Sequence, residues 1–196
     1  MGKSVSGIIQ IIRQKLRDEV VSGQEPVWTD DELKLKIDDV LKELSDASPR
    51  IVIEELETEA ASRDLDISEI EDLIYVEKAE WPVDYWPKQY RNVEVIGDTL
   101  TIITDLLPSA DQTVYLTCKK LHTTLTLTRK MERLLVLGVC GHVAIDKARE
   151  MINKVLVGGW RSPAQLESWG IRQISLYEKG LSEIAEPRIY TDYPQN

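Results

Sequence analysis

The stretch WTDDELKLKIDDVLKELSDASPR, residues 28–50, has the clearest local signal in the chain. Thr29 and Glu32 stand at the spacing of a capping box: the hydroxyl accepts the Glu32 N–H while the carboxylate reaches back to the Thr29 N–H. Asp30, Asp31 and Glu32 put negative charge at the positive end of the helix dipole. Leu33, Ile37, Val40, Leu41 and Leu44 recur at i, i+4, i+7, i+8 and i+11, one apolar stripe at helical period. Lys34, Lys36, Asp38, Asp39, Lys42 and Glu43 fill the other faces, and Pro49 ends the hydrogen-bond ladder. The stretch reads as an amphipathic helix of about five turns. Trp28, just before the cap, is placed to staple onto Leu33.

Upstream, Ile8, Ile11, Ile12, Leu16 and Val20 form a second stripe and predict a helix over 5–21, broken by SGQEP at 22–26. Two helices joined by so short a loop should lie antiparallel. Arg13, Lys15 and Arg17 interrupt the first apolar patch too early for a signal peptide. Gly2 with Ser6 matches the myristoylation pattern only superficially.

Downstream of Pro49 the period changes. Residues 51–59 (IVIEELETE) read either as a strand or as the start of an irregular crossover, and 65–74 as a short helix or turn. Segments 75–82, 91–104 and 112–128 are rich in Val, Ile, Thr, Tyr and Trp and alternate in polarity, as half-buried antiparallel strands do. Gly97-Asp98 is a two-residue hairpin turn. Helical period returns over 129–156, whose first half (Leu134, Leu135, Val136, Leu137, Val139, Cys140) is apolar around the whole circumference, with Gly138 and Gly141 permitting close approach. Ser162 and Pro163 then open a last helix, 163–184, and 186–196 is an extended tail. The fold class is therefore α+β. A four-helix domain (1–50 and 129–185, two N-terminal and two C-terminal helices) is interrupted by an antiparallel β-rich insertion (51–128) and followed by the tail. Its helical core is Trp28, Leu33, Ile37, Leu41, Leu44, Leu134 and Leu137.

Charge is unevenly distributed. The net charge is −10, yet residues 29–80 hold 18 acidic and 6 basic side chains, a balance of −12. Such a chain lacks the basic footprint that grips nucleic-acid phosphates. No apolar run reaches the ~18–20 residues that span a bilayer, so no membrane partner is expected. Cys118 and Cys140 lack metal-ligand spacing and read as free thiols of a reducing compartment. His142 sits among core residues, and His122 falls in a Thr-rich strand that should be exposed. Neither histidine belongs to a metal or catalytic pattern. The paired aspartates are dipole partners before they are metal ligands. No catalytic residue, cofactor or metal site is predicted, and the chain reads as a non-enzyme.

Taken together, Trp28, Thr29, Asp30, Glu32, Leu33, Ile37, Leu41, Leu44, Ser45, Pro49 and Arg50 resemble the helix-entry and S-x-x-S-P-R exit pattern of the head–tail connector (adaptor) proteins of tailed bacteriophages. The GDTLTI hairpin (97–102) and the helix entered through Thr128-Arg129-Lys130 add to the likeness. The resemblance implies a virion structural protein of the neck, assembled in the host cytoplasm. It would form a homo-oligomeric ring, a dodecamer, beneath the portal, with partners in the portal protein and a stopper or tail-completion protein. DNA would pass through it without specific binding. The broad apolar girth of helix 129–156 is one expected ring-packing element. The acidic candidates for a channel lining are Asp30, Asp31, Asp38, Asp39 and Glu43. The candidates for portal docking are Pro187, Arg188, Ile189, Tyr190 and Tyr193, aromatic and arginine anchors of the kind buried interfaces favour. An acidic regulatory or DNA-mimicking protein that occupies a basic partner is the alternative.

Overall fold

The computed structural model describes residues 2–18, 26–83, 85–151 and 162–185. Among the described residues four helices, α1 (Val5–Leu16), α2 (Asp30–Ala47), α3 (Arg129–Met151) and α4 (Pro163–Ile184), and seven strands make the chain α+β. It divides into two compact units. A helical unit comprises Met1–Ser48 and His122–Asn196, and a β unit comprises Pro49–Leu121. The division falls at Leu121/His122 rather than at 128. The strand foreseen over 112–128 ends early, as β7 (Thr113–Lys120). His122 is then tied into the helical unit: its backbone N–H donates to Ser45 Oγ at 2.8 Å, and its Nε2 lies 3.0 Å from the Ser48 carbonyl. A carbonyl can only accept, so Nε2 carries the proton. The histidine is half-buried in a loop instead of exposed on a strand.

In the helical unit, α2 begins with both halves of the capping box. The Thr29 N–H donates to Glu32 Oε2 at 2.6 Å, and the Glu32 N–H donates to Thr29 Oγ1 at 3.2 Å. Leu33, Ile37, Val40 and Leu44 are completely buried. They meet Ile8, Ile12 and Leu16 of α1 and Leu134, Leu135, Val139 and Cys140 of α3 in one core, which also takes in Trp28 and Leu41 and is flanked by Leu137. Helix α1 ends sooner than its stripe suggests, because Arg17 turns into the left-handed region (φ 55°) and the Asp18 N–H closes back onto the Arg13 carbonyl at 2.9 Å. Val20 and the rest of 19–25 lie outside the described residues, as do 152–156 of the helix foreseen over 129–156.

Helix α3 is the axis of the unit. It packs against α4 most extensively and against α2 and α1 as well. Its residues 134–136 and 138–141 are buried, and Leu137 between them is half-buried, so most sides of that turn meet protein. Much of the apolar girth of residues 134–141 is thus covered within one chain by α1, α2 and α4. Close packing against α4 depends on a glycine pair. A Cβ on Gly170 would lie 2.9 Å from the Gly141 carbonyl oxygen and 2.8 Å from Ile145 Cγ1, and one on Gly141 would lie 2.7 Å from Ile174.

The β unit has two antiparallel sheets. One has the order β1 (Arg50–Glu57), β7, β3 (Leu73–Glu80), β4 (Tyr90–Arg91). The other has the order β2 (Asp64–Asp66), β6 (Thr99–Ile102), β5 (Val93–Ile96). Residues 51–57 are thus a regular strand. The 65–74 segment, read as helix or turn, supplies short β2, turns, and the start of β3. Gly97 at φ 60° makes the two-residue connection between β5 and β6, since glycine enters that region without a Cβ clash. A second core forms from Val76, Ala79, Val114, Leu116 and Cys118 of the first sheet and Leu65, Leu100 and Ile102 of the second, with Ile67 and Trp81.

Gly170→Ala tests the glycine contact. Helix propensity alone favours alanine by about 1 kcal/mol. Its Cβ would nevertheless collide with a backbone oxygen that cannot swing away, so a net loss of about 1 to 2 kcal/mol in urea unfolding is expected.

Candidate interaction surfaces

The polar organiser of the helical unit is a buried cluster at the junction of α1 and α2. Asp18, only 6% exposed, accepts the Val27 N–H at 2.7 Å and the Trp28 N–H at 3.3 Å. Arg13 Nη1 donates to the same carboxylate at 2.7 Å, while its Nη2 donates to the Trp28 carbonyl at 2.9 Å and to Asp30 Oδ1 at 2.5 Å. Trp28 is thereby held by its own backbone, and its Nε1 donates to the Val143 carbonyl of α3 at 3.3 Å. Sequence pattern alone does not reveal Arg13 or Asp18. Arg13 looks like one more surface cation, and Asp18 follows a helix end that its own stripe runs past.

The five acidic candidates of α2 separate by environment. Asp30 is committed to Arg13, and Glu43 accepts the Tyr177 hydroxyl of α4 at 2.9 Å. Burial, then that carboxylate, pushes the Tyr177 hydroxyl well above its ordinary range. Glu43 thus links α2 to α4 while staying exposed to solvent. All five are exposed, and among the described residues Asp31, Asp38 and Asp39 make no hydrogen bond or ion pair to another helix. Asp31 and Asp38 are seven residues apart on one helical face, about 10 Å along the axis, and Leu35, 63% exposed, lies between them. Asp31 pairs with Lys34 at 3.0 Å, a solvent-screened contact of small energetic weight. Lys36 reaches Asp146 of α3, also at 3.0 Å. Hydrogen bonds from the Thr29 backbone and hydroxyl hold the Glu32 carboxyl below its ordinary value of 4.5. This capping grip is present at neutral pH and is lost as pH falls through that lowered value.

The portal-docking candidates Pro187, Arg188, Ile189, Tyr190 and Tyr193 lie outside the described residues. Both cysteines are free and buried, one in each unit. Burial pushes Cys118 up to about 11 and Cys140 up to about 12. A thiol so far from its thiolate is a poor nucleophile at neutral pH. Among the described residues no group of three or more His, Cys, Asp and Glu side chains could hold a metal ion. No helix among them is long and apolar enough to cross a membrane.

The outward apolar residues of the β unit went unrecognised in the sequence. Trp86 is 91% exposed, and Tyr85 and Tyr90 beside it are exposed too. The available signal was density: four of the chain's 12 aromatic side chains (Trp81, Tyr85, Trp86, Tyr90) fall within ten residues. Trp81-Pro82 and Trp86-Pro87 are cis, and the base of this loop is braced. The Trp81 N–H donates to the Gln89 carbonyl at 3.0 Å, Arg91 Nε donates to the Trp81 carbonyl at 3.1 Å, and Lys88 pairs with Glu80 at 2.8 Å. No protein-family model matches the chain, and no curated protein matches it.

Removing the Asp18 carboxylate leaves the Arg13 guanidinium buried beside two unmet backbone N–H groups. Asp18→Ala should cost about 3 kcal/mol in urea unfolding, and Asp18→Asn less, because the amide oxygen still accepts one N–H. Thiol labelling at pH 8 checks where that damage falls. Both cysteines should resist reagent in the native protein, and Asp18→Ala should speed labelling of Cys140 while leaving Cys118 slow.

Proposed function

We propose that this chain is a ring-forming structural subunit, a head–tail adaptor that sits beneath a phage portal, extends the DNA channel and joins the head to the stopper or tail. The likeness of Trp28–Arg50 to the adaptor helix supports the reading. The observation that carries it furthest is the set of large apolar side chains turned to solvent on both units. Leu35, Ile171 and Leu176 lie on the helical unit, and Ile51, Ile53, Tyr85 and Trp86 lie on the β unit. In a ring, side chains of this kind would be available for a neighbouring copy to cover.

In this reading the two N-terminal and two C-terminal helices form the ring wall, and the 186–196 tail docks on the portal. The carboxylates offered to a channel reduce to Asp31, Asp38 and Asp39, since Asp30 and Glu43 are held by Arg13 and Tyr177. Their charge would repel phosphate so that DNA slides instead of binding. Neck localisation, the absence of a catalytic role and the portal and stopper partners all belong to this proposal.

Light scattering and negative-stain imaging of the full chain, alone and with added portal protein, provide the test. A ring, formed freely or on the portal, is expected. A monomer without affinity for portal that instead binds a basic protein through α2 would overturn the reading in favour of an acidic regulatory or DNA-mimicking protein. Within particles, the triple change Asp31→Asn, Asp38→Asn, Asp39→Asn should slow DNA ejection, and unchanged ejection kinetics would remove the channel role from these residues. Truncation after Glu186 should abolish portal attachment while leaving the urea unfolding curve of the body in place.

A further inference from the structure

The excess acid of this chain lies in one unit. Pro49–Leu121 holds 16 acidic and 7 basic side chains, so −9 of the net −10 belongs to the β unit and the helical unit sums to −1. Within that nearly neutral unit charge is again unevenly placed. Residues 1–17 carry Lys3, Arg13, Lys15 and Arg17 and no acid, and α3 opens on Arg129, Lys130, Glu132 and Arg133. Helices α1 and α3 run the same way. Lys3 pairs with Glu132 near the start of α3, and Lys15 lies within electrostatic reach of Cys140 further along.

An open groove of about 510 Å³ lies between these two helices. Its floor is apolar, formed by Ile11, Val136 and Leu137. Its rim holds Lys3, Lys15, Arg129 and Arg133 against one acid, Glu132, so the charged lining sums to +3. Glu132 answers Lys3. Lys15, Arg129 and Arg133 are exposed and pair with no carboxylate among the described residues. Elsewhere in this acid-rich chain Lys36, Lys88, Lys120 and Lys130 each reach a carboxylate. Arg129, Arg133 and Leu137 stand at i, i+4 and i+8, a row about 12 Å long, and Ile11 and Lys15 stand one turn apart on the α1 side.

Three unanswered cations around an aliphatic floor select the chemistry of the occupant. A small anion would meet the cations and leave the floor in water. A nucleic acid would find no aromatic side chain in the groove on which to stack a base, on a chain whose net charge repels phosphate. A helix carrying an apolar ridge between acidic flanks satisfies both parts of the lining at once. A groove between two helices also has the shape that takes the side-chain ridge of a third.

We propose that the α1–α3 groove docks an acidic amphipathic helix of a partner protein, its apolar ridge on Ile11, Val136 and Leu137 and its carboxylates on Lys15, Arg129 and Arg133. The site goes beyond the ring reading and stands or falls without it.

Fluorescence anisotropy on the full chain tests the site. The probe is a labelled peptide of about 15 residues, a length at which a helix can stand, with leucines at i, i+3, i+4 and i+7 and glutamates on both flanks. Its comparators are a scrambled peptide of the same composition without an apolar ridge, the peptide with lysine for glutamate, and a single-stranded DNA oligomer. The acidic amphipathic peptide should bind about tenfold or more tighter than any comparator. Arg129→Glu combined with Arg133→Glu changes two exposed, unpaired positions and should weaken that binding about tenfold or more. Arg149→Glu, roughly four turns further along α3, should leave binding unchanged, and urea unfolding checks that each variant is folded. Equal binding of the scrambled peptide would reduce the groove to unspecific charge, and tighter binding of DNA would make it a nucleic-acid site. Either result overturns the proposal, as does the absence of binding or an equal loss in Arg149→Glu. Light scattering without peptide closes the remaining alternative: self-association that the double variant abolishes would give the groove to a second copy and overturn the proposal too.

Discussion

The helical unit depends on one buried carboxylate. Asp18 gathers the Val27 and Trp28 N–H groups and the Arg13 guanidinium at a point only 6% exposed. Each partner is itself committed elsewhere: Arg13 to the Trp28 carbonyl and Asp30, and Trp28 to Val143 of α3. Charge-assisted bonds of this kind are strong, and buried N–H donors left unmet are expensive. The cluster therefore admits one position for the start of α2 relative to the end of α1. Once Trp28 and Thr29 are placed, the capping box starts the helix, and the Leu33–Leu44 stripe has no choice but to face α1 and α3.

The consequence for assembly lies in what the unit consumes. Helix α3 is covered by its own chain over most of residues 134–141, with the Gly141–Gly170 contact letting α4 come close. Much of that apolar girth is used internally. What stays exposed sits on outward faces: Leu35 between two carboxylates on α2, and Ile51 and Ile53 on β1. An assembly built on such surfaces joins pre-formed units whose cores are already complete, rather than sharing a core between chains.

The local grammar was legible wherever one physical signal acted alone. Ser162 and Pro163 announced α4, and its start carries the capping box with Gln165. Gly97-Asp98 announced the hairpin, and Pro49 the end of α2. Legibility failed where a tertiary contact competed with a local pattern. Arg17 ends α1 in a left-handed turn because Asp18 is needed in the buried cluster, although the apolar stripe runs on to Val20. Residues 121–128 alternate like a strand, yet His122 leaves the sheet to bond Ser45 and Ser48. Glu43 reads as a surface carboxylate and is one, and only the approach of Tyr177 from α4 makes it an acceptor between helices.

The sequence by itself determined the α+β class, the capped amphipathic helix at 30–47, the β character of the middle third and the buried nature of the helix around Leu135, because propensity, capping and periodicity are properties of neighbouring residues. Only the tertiary structure decided which polar groups are structural and which are offered to solvent. It joined Arg13 to Asp18 and Asp30 and Tyr177 to Glu43, and it left Trp86 and the Ile51/Ile53 edge bare. Those outcomes depend on which side of a sheet or helix meets another element, and a one-dimensional pattern assigns a residue to a face without saying what that face will meet.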